Sequence, residues 1–247
     1  RNKRNGGKLM STLQNKIDFA VVFSVNKANP NGDPLDGNRP RINYDGYGEV
    51  SDVCLKRKIR NRLQDLGEKI FVQSNERKDD GFDSLHERAD ACEELKAIKK
   101  DVDKYAETAC KEWIDVRSFG QVFAFKGDNL SVGVRGPVTV QTAVSIKPID
   151  VTSMQITKSV NSASGKAKAS DTMGSKHRVD FGVYKFFGSI NVQLAEKTGF
   201  TEEDAEQIKT VHRSLKVVVS GEGKSLADYS ISVEPLSGLE AEEFNGI

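Results

Sequence analysis

Residues 52–63, DVCLKRKIRNRL, constrain this chain more than any other stretch. Leu55, Ile59 and Leu63 recur at i, i+4 and i+8, and Leu66 follows, so a helix from about Val53 to Leu66 gathers them on one face. Five of the seven residues from Lys56 to Arg62 are cationic, and no acid stands between Val53 and Gln64. At about 100° per residue, the same winding turns Arg57, Arg60 and Asn61 away from the apolar stripe, with Lys56 and Lys58 flanking. Such a helix is anchored on its aliphatic side and presents a fixed cationic ridge. A phosphate backbone suits that ridge, because forked guanidiniums bind anionic oxygens with defined geometry. A solvated charged face would carry the same run. The missing acids and the loop just upstream favour the functional reading.

The net charge of +1 hides a partition. Residues 53–64 carry +5, and residues 158–178 hold five cations against the single acid Asp171. Residues 76–112 hold twelve acids and eight bases. A near-neutral total therefore leaves a polyanion partner open, since local patches do the binding. Cys54, Cys92 and Cys110 are odd in number and unpaired in spacing, and the three histidines are scattered, so no zinc or disulfide framework is readable. This fits a reducing, cytoplasmic setting with no metal or cofactor. No apolar run is long enough to span a membrane. Residues 1–10 carry no core pattern and read as a flexible leader.

Residues 17–25, IDFAVVFSV, read as a strand buried on both faces. A long loop follows at 26–50, holding three of the six prolines and a cluster of Asn, Asp and Gly. Beyond the basic helix, residues 68–114 form a charged, helical insertion with helices expected at Leu85–Lys100 and Val102–Ile114. Trp113 reads as capping the core side of the second. Strands resume at QVFAF, LSVGVRG, PVTVQTAVSI and VTSMQITKSV. Residues 161–178 are small, polar and basic, and read as a loop or hairpin tip. FGVYKFFGSINVQL at 181–194 returns to strand, Thr201 opens a helix with Phe200 in the staple position, and LKVVVS and DYSISVEP close the chain. The order implies an α+β fold with a modified ferredoxin-like core, helices covering one side of an antiparallel sheet.

Three further motifs carry candidate chemistry. NPNGDP at 29–34 sits directly after the first strand, with Arg39 and Arg41 close behind; its Asn and Gly residues allow backbone amides to approach an anion, or simply make a tight turn. DVRSFGQ at 115–121 couples Arg117 to Phe119 and Gly120, a pairing suited to single-stranded nucleic acid, although Phe119 reads as core before it reads as stacking. VRGPV at 134–138 leaves Arg135 in a strand-terminal turn with no neighbouring acid. His177, beside Arg178, is the only histidine in a basic loop and reads as a surface residue.

Taken in order, NPNGDP, DVCLKRKIRNRL, DVRSFG, VRGPV, TMGSKH at 172–177 and AEKTGF at 195–200 resemble the backbone subunit of type I-C CRISPR surveillance complexes (Cascade), the Cas7/Csd2 family. The likeness runs from about Ile17 to at least Phe200. It implies an RRM-like palm (11–67, 115–149 and 179–247), a helical finger (68–114) and a β-hairpin thumb (150–178). It implies copies that polymerise along one CRISPR RNA beside other Cascade subunits, presenting the spacer to a target DNA strand. Lys56, Arg57, Lys58, Arg60 and Asn61 would hold guide phosphates, with Asn29, Asn31, Gly32 and Arg39 beside them. Arg117, Arg135, Lys158, Lys176 and His177 complete the implied RNA contacts. Met154 and Met173 are apolar thumb candidates, for wedging between bases or for ordinary packing. The chain departs from the family where Val211, His212 and Arg213 run almost directly into LKVVVS, a point at which members carry further residues.

Two other functions compete. A metal-dependent ribonuclease would use Asp33, or Asp36 and Asp45 nearby, but no paired carboxylates or histidine base stand at readable ligand spacing. A generic RRM-like RNA-binding protein would show an aromatic-rich sheet motif, and none is visible. The expectation is a binding protein, not an enzyme.

Overall fold

The computed structural model describes residues 11–98, 101–125, 130–157 and 173–213. The expected leader, Lys158, residues 161–172 of the expected loop, the side chain of Met173 and the two closing strands lie outside what is described. In chain order the elements are β1 (Ile17–Ala28), β2 (Gly32–Asp33), β3 (Arg39–Pro40), β4 (Tyr47–Val50), α1 (Asp52–Asp65), α2 (Leu85–Ala91), α3 (Glu93–Ala97), α4 (Val102–Glu112) and α5 (Ile114–Phe119). Then come β5 (Gly120–Phe123), β6 (Val132–Arg135), β7 (Val138–Val140), β8 (Ala143–Pro148), β9 (Val151–Thr157), β10 (Met173–Ile190), α6 (Val192–Thr198) and α7 (Glu202–Arg213).

The organising strand is β10. It pairs antiparallel with β1 in the register Phe19↔Gly188, Val21↔Phe186, Phe23↔Tyr184 and Ala28↔Val179. Its other edge carries β7, β8 and β9 in turn, and β4 lies beyond β8, giving the path β1-β10-β8-β4. One face of this sheet is closed. Phe19, Val21, Phe23, Val25, Tyr184 and Phe186 meet Leu55, Ile59 and Leu63 of α1 and Ala205, Ile208 and Val211 of α7 in one core. Phe23 stacks on its cross-strand partner Tyr184 with centroids 5.3 Å apart. Among the described residues the opposite face is open, so β1 alternates buried and exposed residues rather than being buried on both faces as its composition suggested; Val22, Ile146 and Phe187 lie exposed on strands of this sheet.

Residues from 71 to 132 gather a second core around Phe71, Tyr105, Trp113 and Phe123. Phe71 packs 4.7 Å from Trp113 and 5.0 Å from Phe123, centroid to centroid. Trp113 caps α4, as expected. The helix expected at 85–100 is instead two short helices, broken at Cys92, which ends α2 and opens α3 with an extended backbone. DVRSF forms most of a helix, α5.

Two further differences concern the C-terminal half. Residues 173–178 are strand, not loop, because pairing with β9 (His177↔Ser153, Met173↔Thr157) gives their polar backbone a ladder that composition alone could not reveal. VQLAEKT is a helix, not a strand end: the Asn191 side chain accepts from Leu194 N at 3.0 Å and Gly199 closes it in the left-handed region. The helix opened by Thr201 is present, its cap reciprocal: Thr201 Oγ1 accepts from Asp204 N and the Asp204 carboxylate from Thr201 N.

Candidate nucleic-acid interface

The register of the sheet builds a groove. Since Ala28 faces Val179, the loop leaving β1 lies alongside the β10 residues that precede Val179. One wall is Lys27, Asn29, Pro30, Asn31, Gly32 and Asn38; the other is the β9–β10 arm, through Gln155, Ile156, Thr157, Ser175, Lys176, His177 and Arg178. The groove has a volume of about 1020 Å³, and among the described residues no carboxylate lines it. Lys27 and Lys176 make no ion pair among the described residues. Arg178 leans on Asp180 at 3.1 Å. The Thr152 hydroxyl first, then Arg178, with Lys27 adding from further off, hold the Asp180 carboxyl below its ordinary pKa. His177 Nδ1 meets Ser153 Oγ at 2.8 Å, and its Nε2 stands 3.9 Å from where a side chain at Gly37 would begin. The arm thus faces the β2–β3 turn across the groove.

The NPNGDP wall is fixed from within. Asn31 Oδ1 accepts from Ser51 N at 2.9 Å and Ser51 Oγ at 3.0 Å, and Ser51 is itself the N-cap of α1, so Asn31 locks the loop onto the helix start. Gly32 admits no side chain: a Cβ there would lie 1.8 Å from Asn38 Oδ1. Asn29 Nδ2 donates to Asn38 O at 2.6 Å, while Asn29 Oδ1 is buried with no partner among the described residues. Asp33 accepts from Leu35 N at 3.0 Å and pairs with Arg41 at 3.5 Å. Arg39 pairs loosely with Asp36 at 3.8 Å. Cys54 also lines the groove, its Sγ 3.6 Å from Pro30 O, and burial raises the pKa of its thiol.

The helix α1 forms as expected and buries Leu55, Ile59 and Leu63, although Leu66 falls outside the stripe and is 45% exposed. Its cationic ridge is another matter. Arg60 sits about 100° from Ile59, on the flank rather than opposite the stripe. Its Nε donates to Asp115 at 2.9 Å, and its guanidinium lies 5.0 Å from the Phe119 ring centroid. Asp115 is fully buried and also accepts from Phe71 N at 2.7 Å and Val72 N at 3.1 Å. Arg57 Nη1 donates to Val72 O at 2.6 Å; burial, then the neighbouring Arg60, lowers its pKa. These two arginines therefore clamp α1 to the helical segment instead of projecting freely. Lys56 pairs with Asp52 at 3.1 Å, and Asn61 O accepts from Arg77 at 3.4 Å. Lys58 is the ridge cation with neither an ion pair nor a side-chain hydrogen bond among the described residues.

Arg117 is likewise held inside, donating twice to the buried Asp204 at 3.0 and 2.8 Å. The neighbouring Gly120 has φ +80 and a Cβ there would lie 2.3 Å from Val134 O, so the turn after Phe119 presses directly on the end of β6. Arg135, at the end of β6, is exposed on a second cleft of about 960 Å³. Met154 is exposed on the arm. Of the residues singled out from sequence, the structure brings Asn29, Asn31, Gly32, Lys176 and His177 into one groove and leaves the α1 arginines, Arg117 and Arg135 elsewhere. Sequence reasoning missed Lys27, Asn38, Gln155 and Ser175 as lining residues; only the pairing of β1 with β10 reveals them.

Residues 15–216 match the family model described as CRISPR-associated protein Cas7. The chain belongs to the Cas7 family. The CRISPR-associated protein Cas7 of Haloferax volcanii is 27% identical over 231 residues, covering 84% of this chain and 66% of that relative. This Cas7 chain thus spans just under two thirds of its relative's length. A chain of a solved structure described as a CRISPR RNA-guided surveillance complex, pre-nicking, has the same fold: TM-score 0.54 and 19% identity, over 88% of this chain and 74% of that one. Among the described residues, no helix is long and apolar enough to cross a membrane, and no group of three or more His, Cys, Asp or Glu could hold a metal ion.

Proposed function

We propose that this Cas7 chain is a CRISPR RNA-binding backbone subunit of a Cascade surveillance complex of type I-C. Copies polymerise along the guide, beside other subunits in the cytoplasm, and present its spacer to target DNA. The observation that carries this reading is the groove, which no described carboxylate lines and where Lys27 and Lys176 stand without ion pairs among the described residues. Guide–target pairing supplies the sequence specificity, and a repeating subunit grips backbone without reading bases. In this reading the sheet with α1 and α7 is the RRM-like palm, residues 68–114 belong to the finger, and 150–178 form the thumb. Asn29, Gly32, Lys176 and His177 contact the guide, Lys58 and Arg135 meet phosphates further along it, and Met154 wedges between bases. The ribonuclease alternative gains no support from Asp33, whose carboxylate is engaged by Leu35 N and Arg41. The test is the RNA that co-purifies when the chain is expressed with its neighbouring genes and a repeat–spacer array. A uniform guide-length RNA bound to several copies supports the reading; no RNA, or a mixture released at modest salt, overturns it.

A further inference from the structure

The groove holds a polar atom that nothing among the described residues satisfies. Asn29 Oδ1 is buried and has no hydrogen-bond partner among the described residues, although Asn29 lines the groove. The orientation of its amide is fixed by chemistry. Nδ2 donates to Asn38 O at 2.6 Å, and turning the amide over would set two carbonyl oxygens against each other. The atom facing no partner is therefore an acceptor, and a buried acceptor left unpaired is costly. Whatever fills the groove must bring a donor.

That requirement sorts the parts of a nucleic acid. A phosphodiester offers only acceptors, and so does deoxyribose within a strand. Base edges offer donors, but their position changes with sequence. The ribose 2′-hydroxyl is a donor present at every nucleotide whatever the base, and it separates RNA from DNA at a given site. It also lies next to the 3′-phosphate on the same sugar, so a groove that grips phosphates between Lys27 and Lys176 on its two walls has that hydroxyl within reach. We infer that Asn29 Oδ1 accepts a hydrogen bond from a ribose 2′-hydroxyl, making this groove a reader of RNA over DNA that is indifferent to sequence. The assignment rests on the proposed guide-binding function and deepens it. The oxygen is closed to bulk water, so a ligand pressed into the groove supplies what solvent does not. A ligand reaches the oxygen only with a shift of the groove wall, and the adjoining Gly37–Asn38 turn is exposed with both residues at positive φ.

The experiment measures binding of the full chain to short oligonucleotides of one sequence, carrying ribose, 2′-fluoro or 2′-deoxy sugars. The 2′-fluoro sugar keeps the ribose pucker but has no donor. Wild type should bind the ribose strand about tenfold more tightly than the 2′-fluoro strand, as expected for one hydrogen bond to an otherwise unpaired acceptor. Asn29→Ala should bring that ratio close to one. Equal binding of the ribose and 2′-fluoro strands by wild type overturns the inference, even where Asn29→Ala does not fold. An undiminished ratio in a folded Asn29→Ala overturns the assignment to Asn29. Binding of neither strand at low salt overturns the guide-binding reading itself, and the inference with it.

Discussion

Helix α1 and the β1–β10 groove are both basic, yet their cations do opposite work. On α1, Arg57 and Arg60 face Val72 O and the buried Asp115 and tie the helix to the second core. In the groove, Lys27 and Lys176 face an opening that no described carboxylate lines. A count of positive charge ranks α1 first. Geometry reverses the order, because a guanidinium is available to a phosphate only when no internal carboxylate or carbonyl already holds its fork.

The largest effect expected from this difference is on stability. Asp115→Ala strands Arg60 and two backbone amides in a dry site and should cost about 4 kcal/mol, read by urea unfolding. A stable variant that loses RNA binding instead would break the comparison on its structural side. Arg117→Ala, which leaves Asp204 buried without its bidentate partner, should cost about 2–3 kcal/mol in the same assay.

A pH profile sharpens the structural side further. Burial pushes the Cys110 thiol up to about 11, and the nearby Arg117 works in the opposite direction. Its folded pKa lies above the ordinary value of 9.0, so the contribution is fully present below pH 9. It is lost as pH rises through about 11, because the unfolded chain ionises first. Unfolding free energy should therefore fall by about 2 kcal/mol across that window, and Cys110→Ala should flatten the fall. An unchanged slope in the variant would assign the alkaline loss to other groups.

The smallest stability effects belong to the groove. Lys27→Ala and Lys176→Ala should each change unfolding free energy by less than about 0.5 kcal/mol. A large loss in either would place these lysines in the framework and remove the contrast with α1.

Much of the fold was legible because its signals are local. The i, i+4, i+8 leucine–isoleucine stripe defined α1, and Thr201 followed by acids marked the start of α7. The break at Cys92, the strand at 173–178 and helix α6 were not, since each depends on partners or backbone geometry that composition does not encode. The candidate site was half legible for the same reason. NPNGDP and TMGSKH stood out as motifs, but Asn29 and Lys176 lie in opposite halves of the sequence. Only the β1–β10 register sets them face to face. Arg60 misled because its partner Asp115 lies 55 residues away. No helix-local reading could show that its charge was already neutralised.

The most direct test of the account is the salt dependence of RNA binding by the groove and helix variants side by side. Removing Lys27 or Lys176 should weaken binding evenly across sequences and flatten the slope of log K against log salt by about 0.7 for each phosphate no longer neutralised. Arg57→Gln, measured in folded protein, should leave the slope unchanged. The reverse pattern, an unaltered slope for the lysines and a flattened one for Arg57→Gln, would contradict the assignment of the guide to the groove.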